Sequence, residues 1–439
     1  MSSAHKQLSS MTATEGAASV PPGYKRSEIG VIPEDWAIAE LRNISPEQRV
    51  GLVINPSTYF VDDGTIPMLV GSNIGENEIR WDTANRINEK SNAKLAASRL
   101  FAGDLVMVRV GEPGIAAVVP TELDGCNCAS MMIVRKHNRF NSQWLCAVMN
   151  SRVGRLQVES VQYGTAQKQF NIGDAIHFLY AVPPLREQDA IAEACSDMDG
   201  LLAALDTLIS KKRGIKQAAM QQLLTGKTRL PGVSGEWETK RLGELGTFLK
   251  GSGVRRDDSQ SGELACVRYG EIYTVHHDYI REFHSWISPE VAAEAVQLRY
   301  GDLLFAGSGE TKEEIGKCVA FLTQTDAYAG GDIVILRTTG LNSLFLGYAL
   351  NMPDVAHQKS SFGQGDAVVH ISAAALGQVR LALPTLEEQT AIATVLSDMD
   401  AEIAALERRR NKTRVIKQGM MQQLLTGRVR LIEPEVTPC

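Results

Sequence analysis

The sixteen residues IKQAAMQQLLTGKTRL, Ile215–Leu230, recur in closely similar form as IKQGMMQQLLTGRVRL, Ile416–Leu431. When the same offset is followed toward the N-terminus, the match begins at Pro183 and Pro384, and about 28 of 48 paired positions are identical. Further landmarks at this offset are Trp36 with Trp237, Leu41 with Leu242, and Gly164 with Gly365. The chain therefore contains two copies of one unit of roughly two hundred residues, which suits a domain plus a connector rather than a solenoid repeat.

Each copy of the matched segment predicts one long helix, because apolar residues recur at spacings of three and four. Prolines precede the first turn, and Gly226 and Gly427 follow the last periodic residue, as is typical of helix ends. We therefore predict helices over 183–226 and 384–427. The predicted apolar stripes are Ile191, Cys195, Met198, Leu202, Leu205, Ile215, Ala219 and Leu223, and then Ile392, Leu396, Met399, Ile403, Leu406, Ile416, Met420 and Leu424.

A helix of about 40 residues spans roughly 60 Å and cannot bury its stripe alone. Two equal copies in one chain can pack antiparallel as a coiled-coil-like rod, with a pseudo-two-fold axis and one domain at each end. The alternative is a pair of core helices in an ordinary bundle. Repetition of the solvent-facing Gln217, Gln221 and Gln222 favours the rod, because core packing does not require it. The basic runs 211–213 and 408–412 predict a solvated face or a contact to a partner.

The segments around the helices predict two mixed α/β domains, 24–182 and 227–383. Both contain short β-rich runs, GDLVMVRVG (103–111) against GDLLFAGSG (301–309) and MMIVR (131–135) against DIVILR (332–337). A shared framework with different loops is typical of two recognition domains that bind different targets. Residues 1–23 are predicted to be a disordered leader, and 428–439 a C-terminal tail.

Composition indicates a globular chain, with 44% hydrophobic and 22% charged residues among 439. No apolar run reaches the roughly 18 residues that a membrane span needs, and we expect a cytoplasmic protein. Seven cysteines in a long chain are not a disulfide framework. The net charge of -6 argues mildly against a free-standing nucleic-acid binder.

The paired motifs resemble those of the specificity subunits of type I restriction-modification enzymes. The residues that carry this resemblance are PPLREQ and PTLEEQ, the AIA and SDMD segments, the LLTGKTRL and LLTGRVRL closings, and GVIPEDWAIAEL at 30–41. The resemblance covers about 24–432. It implies an α+β fold in which two pseudo-twofold-related target-recognition domains are joined by two long antiparallel helices.

The same resemblance implies a non-catalytic function. Each domain would read one half of a bipartite double-stranded DNA target, and the helices would dock two adenine methyltransferase subunits and, through them, the restriction subunits. S-adenosylmethionine, ATP and magnesium would then belong to the partner subunits and not to this chain. A rigid rod between two unlike heads would hold the two half-sites at a constant spacing. Phosphate contacts shared with basic partners would make the acidic net charge tolerable.

The chemistry of an independent enzyme is missing from the sequence. The Pro-Pro pairs follow Val20 and Val182, so no adenine-methylase acceptor motif is present. GSGETKEEIGKC (307–318) resembles a phosphate-binding loop, but the spacing of its residues does not match that motif. Asp302, Glu310 and Lys312 imitate a nuclease triad, and Cys126 with Cys128 lacks a second ligand pair. A self-contained methylase or nuclease and a protein-only scaffold remain alternatives, which turnover by the chain alone or absence of specific DNA binding would favour.

Base contacts are expected from polar side chains in the loops that follow short strands. Each such residue alone is a common kind of surface residue, so the prediction concerns the set. The predicted DNA-binding residues are Ser72, Asn73, Arg109, Tyr163, Thr165, Gln167 and Lys168 in the first domain and Arg268, Tyr269, Ser308, Thr311, Lys312, Gln364 and His370 in the second. Gln221, Gln222, Gln422 and Gln423 are instead expected on the rod or at the methyltransferase contact.

Overall fold

The computed structural model describes residues 20–365 and 368–433. These residues form two compact units, one of 20–205 with 409–433 and the other of 206–408. Each unit therefore contains one α/β domain and one half of each long helix. The prediction of two mixed α/β domains joined by two long helices is confirmed. Residues 1–19 of the predicted leader and 434–439 of the predicted tail lie outside the described residues.

The first unit is built from short strands and helices that precede the first long helix, α6 (Leu185–Leu223). Its strands are β1 (Tyr24–Ser27), β2 (Gly30–Pro33), β3 (Ala37–Glu40), β4 (Gln48–Val50), β5 (Ile66–Leu69), β6 (Ile74–Gly75), β7 (Glu78–Ile79), β8 (Arg86–Ile87), β9 (Leu105–Val108), β10 (Val110–Gly111), β11 (Ala116–Val118), β12 (Asn127–Cys128), β13 (Met131–Val134), β14 (Lys168–Gln169) and β15 (Leu179–Val182). Its short helices are α1 (Leu41–Ile44), α2 (Glu89–Lys94), α3 (Ser142–Asn150), α4 (Arg152–Val161) and α5 (Ile172–Ala175).

The second unit contains the remaining elements and the start of the second long helix, α12 (Leu386–Leu424). Its strands are β16 (Glu238–Arg241), β17 (Gly246–Lys250), β18 (Leu264–Val267), β19 (Ser285–Ile287), β20 (Val296–Gln297), β21 (Leu303–Ala306), β22 (Ser308–Gly309), β23 (Cys318–Ala320), β24 (Ala327–Ala329), β25 (Ile333–Thr338), β26 (Val369–His370) and β27 (Arg380–Leu383). Its short helices are α7 (Tyr269–Thr274), α8 (Pro289–Glu294), α9 (Ser343–Ala349), α10 (Pro353–Phe362) and α11 (Ala373–Leu376).

The two units share one sheet topology. A four-stranded antiparallel sheet has the order β11-β9-β13-β4 in the first unit and β23-β21-β25-β17 in the second. The central strands β9, β13 and β21 are fully buried runs of apolar residues, which explains their lack of polar alternation. A second sheet contains a parallel pair, β5 with β12 and β18 with β24. The internal repeat therefore extends through the domains that the sequence alone aligned only at landmarks.

Both long helices bury a line of side chains at alternating spacings of four and three, the heptad pattern of a coiled coil. The line in α6 is Ile191, Cys195, Met198, Leu202, Leu205, Ile209, Lys212, Lys216, Ala219 and Leu223, and in α12 it is Ile392, Leu396, Met399, Ile403, Leu406, Arg410, Thr413, Lys417, Met420 and Leu424. The prediction that Ile215 and Ile416 belong to this line is wrong, because they are 45% and 51% exposed. Lys216 and Lys417 occupy the line instead.

Within each unit the two helix halves run antiparallel, as predicted. In the first unit the ammonium group of Lys417 pairs with Asp199. In the second, Lys216 Nζ lies 2.8 Å from Asp400 Oδ1. The long lysine stems cover apolar surface while their ammonium groups reach a carboxylate, so a charged residue can occupy the seam. A prediction based on apolar residues alone therefore places Ile215 and Ile416 in the seam, where the structure has Lys216 and Lys417.

In each unit, the opening motif of one long helix meets the closing motif of the other in an ion pair whose carboxylate is buried. In the first unit Arg430 donates to Glu187 at 2.5 and 2.7 Å, and Trp36 Nε1 donates to the same carboxylate at 2.9 Å. Arg229, Glu388 and Trp237 repeat this arrangement in the second unit. The EQ openings and the TG-x-x-R closings thus recur together because they bind each other.

Among the described residues, no helix combines the length and apolar character that crossing a bilayer would require.

Candidate nucleic-acid interface

In each unit, one edge of the four-stranded sheet is attached to the long helices. At the start of β9, Ser142 Oγ donates to Gly103 O at 2.7 Å, and the neighbouring Asn141 N donates to Gln188 Oε1 on α6 at 2.9 Å. The second unit repeats these bonds from Ser343 to Gly301 and from Asn342 to Gln389. The loops that leave the opposite edge, where β9 and β21 end, lie away from these attachments and carry most of the predicted residues.

The first unit brings together Arg109 and the loop 163–169 at this opposite edge. β10 continues from β9 directly after Arg109 and pairs with β14, so that Gly111 faces Lys168. Thr165, Gln167 and Lys168 are exposed in the loop, while Tyr163 donates from its hydroxyl to Asn171 Oδ1 at 3.0 Å. Arg109 is half-buried, and within the described chain its buried Nε has no hydrogen-bond partner.

Ser72 and Asn73 lie beside these residues in a short 3₁₀ helix, Gly71–Asn73. Gly71 packs so closely that a Cβ atom there would lie 3.2 Å from Val108 Cγ1 at the end of β9. Ser72 is exposed, but Asn73 is only 5% exposed. The Asn73 amide accepts from Val70 N at 2.9 Å and donates to Arg80 O at 3.2 Å. Its side chain holds the loop and is not presented to a DNA base, which corrects the expectation for this residue.

The second unit joins Ser308 to His370 and Gln364 in the same way. β22 follows β21 and pairs with β26, so that Ser308 faces His370, and Gln364 bridges to His370 from the other side. Ser308 is 4% exposed, and its Oγ lies 2.8 Å from His370 Nδ1. Ser308 therefore orients the exposed His370 rather than facing solvent itself. Thr311 and Lys312 are exposed in the following loop.

Arg268 and Tyr269 lie at the start of α7, next to the same edge. The hydroxyl of Tyr273 on α7 would lie 2.8 Å from a Cβ atom at Gly309, which places this helix against β22. Arg268 Nε donates to Ser285 Oγ at 3.1 Å and Glu271 Oε1 at 3.4 Å. Tyr269 is 39% exposed. Burial lowers the pKa of the neighbouring His276 to about 4, so this histidine is neutral near pH 7.

Glycines define the two equivalent hairpins. Gly164 and Gly365 have φ values of +95° and +111°, and a Cβ atom at either would clash with the carbonyl oxygen of Gln167 or Val368. Only glycine satisfies both demands. The sequence match of Gly164 with Gly365 thus reflects the same glycine conformation at equivalent positions of the two units. In the second unit, Val369 is 1% exposed and pairs with Gly309, which fixes the strand that follows Gly365.

Comparisons with known proteins match this architecture. Residues 234–414 match the family described as type I restriction modification DNA specificity domain. A Methanocaldococcus jannaschii protein named for the type I restriction enzyme MjaX specificity subunit is 24% identical over 434 residues, covering 93% of this chain and 97% of the relative. Over nearly its whole length the chain is similar to the specificity subunits of type I restriction-modification enzymes.

Further specificity subunits are similar to parts or all of this chain. The M. jannaschii MjaVIII specificity subunit is 26% identical over 218 residues, 48% of this chain and 50% of that relative. The solved type I S subunit from M. genitalium aligns with a TM-score of 0.57 and 12% identity, covering 93% of this chain and 98% of the other. A chain from a structural study of type I complex assembly aligns with a TM-score of 0.53 and 18% identity, covering 91% and 99%. These structures share the fold.

The residues that imitate enzyme sites have structural explanations in this protein. Asp302 is 1% exposed and binds Arg337 with two contacts of 2.8 Å, at the helix-attached edge of β21. Glu310 and Lys312 lie beyond the other end of that strand, so the nuclease-like triad is not assembled. Cys126 and Cys128 are buried, and burial raises the pKa of Cys126 to about 12. A neutral buried thiol is a poor metal ligand.

Sequence reasoning missed one loop of the same edge in each unit, the loop after β4 and the loop after β17. Gly51 N donates to Met131 O, and Gly251 N donates to Ile333 O, each at 2.8 Å, which places both loops beside the ends of β9 and β21. The second loop presents exposed Arg255 and Arg256. The adjacent arginines Arg255 and Arg256, which follow the glycine-containing segment 251–254, were the available sequence signal for this loop.

Proposed function

We propose that this chain is the sequence-reading, non-catalytic subunit of a type I complex and reads a bipartite DNA duplex, one half-site with each unit. The observation that carries the proposal is that equivalent loops lie at the ends of β9 and β21 in the two units. In both units the same framework of strands and glycine-dependent hairpins positions polar side chains, but the side chains themselves differ. Lys168 and Gln167 in one hairpin correspond in place to Val369 and Val368 in the other. Different side chains on one scaffold would read different bases.

Two methyltransferase subunits would dock on the long helices. Ile215 and Ile416 occupy equivalent places in the repeat, lie outside the seam, and are 45% and 51% exposed. Exposed Gln222 lies two turns from Ile215 on the same face of the helix, and exposed Gln423 stands in the same relation to Ile416. An apolar centre with a polar rim is the anatomy of a protein interface, and its occurrence twice supports one partner per copy.

Catalysis and cofactors would then belong to the partners. We propose that S-adenosylmethionine is bound by the methyltransferase subunits, and ATP and magnesium by restriction subunits that join through them. Within the described residues no group of three or more His, Cys, Asp or Glu side chains is arranged to hold a metal ion. This chain would recognise the target sequence and set the spacing between its half-sites, and its partners would carry out catalysis.

The proposal is tested by co-expressing the chain with its methyltransferase in a host that lacks other adenine methylation. Methylation-sensitive genome sequencing should yield one motif of two half-sites separated by a constant gap, with one methyl-adenine in each. Methylation without a shared motif would contradict sequence reading. Turnover by the purified chain alone, with methyl donor or magnesium, would contradict the non-catalytic assignment. Assembly with the partner but no specific DNA binding would favour a protein-only scaffold.

A further inference from the structure

The loop after β4 in the first unit presents two large apolar side chains to solvent. Val53 and Ile54 are 63% and 55% exposed, which is unusual for adjacent β-branched residues. The loop leaves the sheet edge that carries Arg109, because Gly51 N donates to Met131 O and Met131 pairs with Val108. Val53 and Ile54 therefore extend from the same edge as the predicted base-reading residues.

The scaffold anchors both sides of this tip. Leu52 N donates to Cys128 O at 2.9 Å, and the Leu52 side chain packs on the small core that contains Met68 and Ala129. After the tip, Asn55 Oδ1 accepts from Ser57 N at 3.0 Å and caps the 3₁₀ helix Pro56–Tyr59. The two exposed side chains thus project from a constrained turn.

The second unit shows that the fold does not require this exposure. Its corresponding loop begins at Gly251 and ends at the 3₁₀ helix Arg256–Asp258, just as the first begins at Gly51 and ends at Pro56–Tyr59. There Val254 takes the place of Ile54 and is half-buried against the core of Cys266, Ile287 and Ala292. Ser252 Oγ also ties that loop to Glu294 O at 2.7 Å. The side chain at this position is therefore packed against the domain in the second unit (Val254) and exposed to solvent in the first (Ile54).

From this contrast, and resting on the proposed function, we infer that Val53 and Ile54 recognise a thymine in the half-site read by the first unit through contact with its 5-methyl group. Apolar side chains gain nothing from phosphates, and the thymine methyl is the apolar group that an intact duplex displays in the major groove. The equivalent loop of the second unit presents Arg255 and Arg256, whose donors suit guanine or phosphate. The two loops would therefore give the half-sites different base preferences.

The test uses the complex with its methyltransferase and synthetic duplexes of the methylated motif, in which each thymine is replaced singly by deoxyuridine. Removing one buried methyl should weaken wild-type binding about fourfold at one thymine. The variant Val53→Ala/Ile54→Ala should bind the natural duplex about tenfold more weakly and should no longer distinguish thymine from deoxyuridine at that position. Phe101→Ala is the matched control, because Phe101 is 47% exposed in the same unit but precedes β9 at the helix-attached edge.

Several outcomes would overturn the inference while leaving the proposed function intact. They are wild-type-like binding by the double variant, an equal loss on thymine and deoxyuridine duplexes, and a rise in 2-aminopurine fluorescence on binding, which would indicate a wedge between unstacked bases. If the wild-type complex binds no specific duplex, the proposed function fails as well. Circular dichroism of the double variant separates a local contact from a folding defect.

Discussion

At the residue scale, the two hairpin glycines give the sharpest prediction about recognition. Gly164→Ala places a Cβ atom against Gln167 O and demands a left-handed backbone, which costs about 1–2 kcal/mol for a residue with a side chain. We expect the hairpin that carries Thr165, Gln167 and Lys168 to distort, and target methylation to fall at least tenfold. Methylation rates on duplexes with single changes in one half-site or the other measure this effect.

Gly173→Ala is the matched control, since a Cβ atom at this helical position meets nothing within 4 Å. The control should retain the wild-type rate. Gly365→Ala should affect tolerance of changes in the other half-site. If Gly164→Ala and Gly365→Ala relaxed the same half-site, the assignment of one half-site to each unit would be wrong.

Lys359 gives a prediction about pH. Its buried ammonium group donates to Gly316 O at 2.6 Å and Leu350 O at 2.9 Å, at the place that Val158 holds in the first unit. Burial lowers the pKa of Lys359 to about 8. Below pH 8 the lysine is charged in both the folded and unfolded states, and the full cost of burying the charge is present.

Between pH 8 and about 10.4 the folded protein releases this proton first, so the lysine contributes more stability as pH rises. We expect the free energy of unfolding of wild type to rise by about 3 kcal/mol relative to Lys359→Met across this window. Urea denaturation of both proteins at several pH values gives the difference, and other titrating groups cancel in it. Parallel stability curves would contradict the prediction.

At the scale of elements, the helices show how far the sequence could be interpreted. Their number, their approximate bounds and their antiparallel packing followed from apolar periodicity, and Gly226 and Gly427 end them with φ values of +68° and +67°, as predicted. The seam register near Lys216 could not be found from apolarity, because the lysine's place depends on Asp400 from the other helix. The hairpins were visible as polar loops, but Asn73 and Ser308 became buried through hydrogen bonds that depend on tertiary contacts.

The exposed isoleucines predict where the methyltransferase binds. Ile215→Arg should weaken binding of one methyltransferase subunit at least tenfold, because it puts a charge at the centre of an apolar contact. Leu208→Arg is the control: Leu208 is 38% exposed on the same helix, and its equivalent in the repeat is already Arg409. Analytical ultracentrifugation of the assembled complex should show loss of one partner for the first variant and the full complex for the second. Equal loss with both variants would place the contact elsewhere on the helix.

At the scale of the whole molecule, the repeat predicts a length relation between protein and DNA. If the helices set the distance between the two readers, seven residues inserted in the middle of both helices keep the heptad seam in phase and add about 10.5 Å. That length equals about three base pairs of B-form DNA. The methylated motif should keep both half-sites and gain about three base pairs in its gap, as measured by methylation-sensitive sequencing. Seven residues inserted in the loop 227–236 should leave the gap unchanged, because that loop lies outside the seam. An unchanged gap after the helical insertion would mean that the partner subunits, and not these helices, determine the spacing.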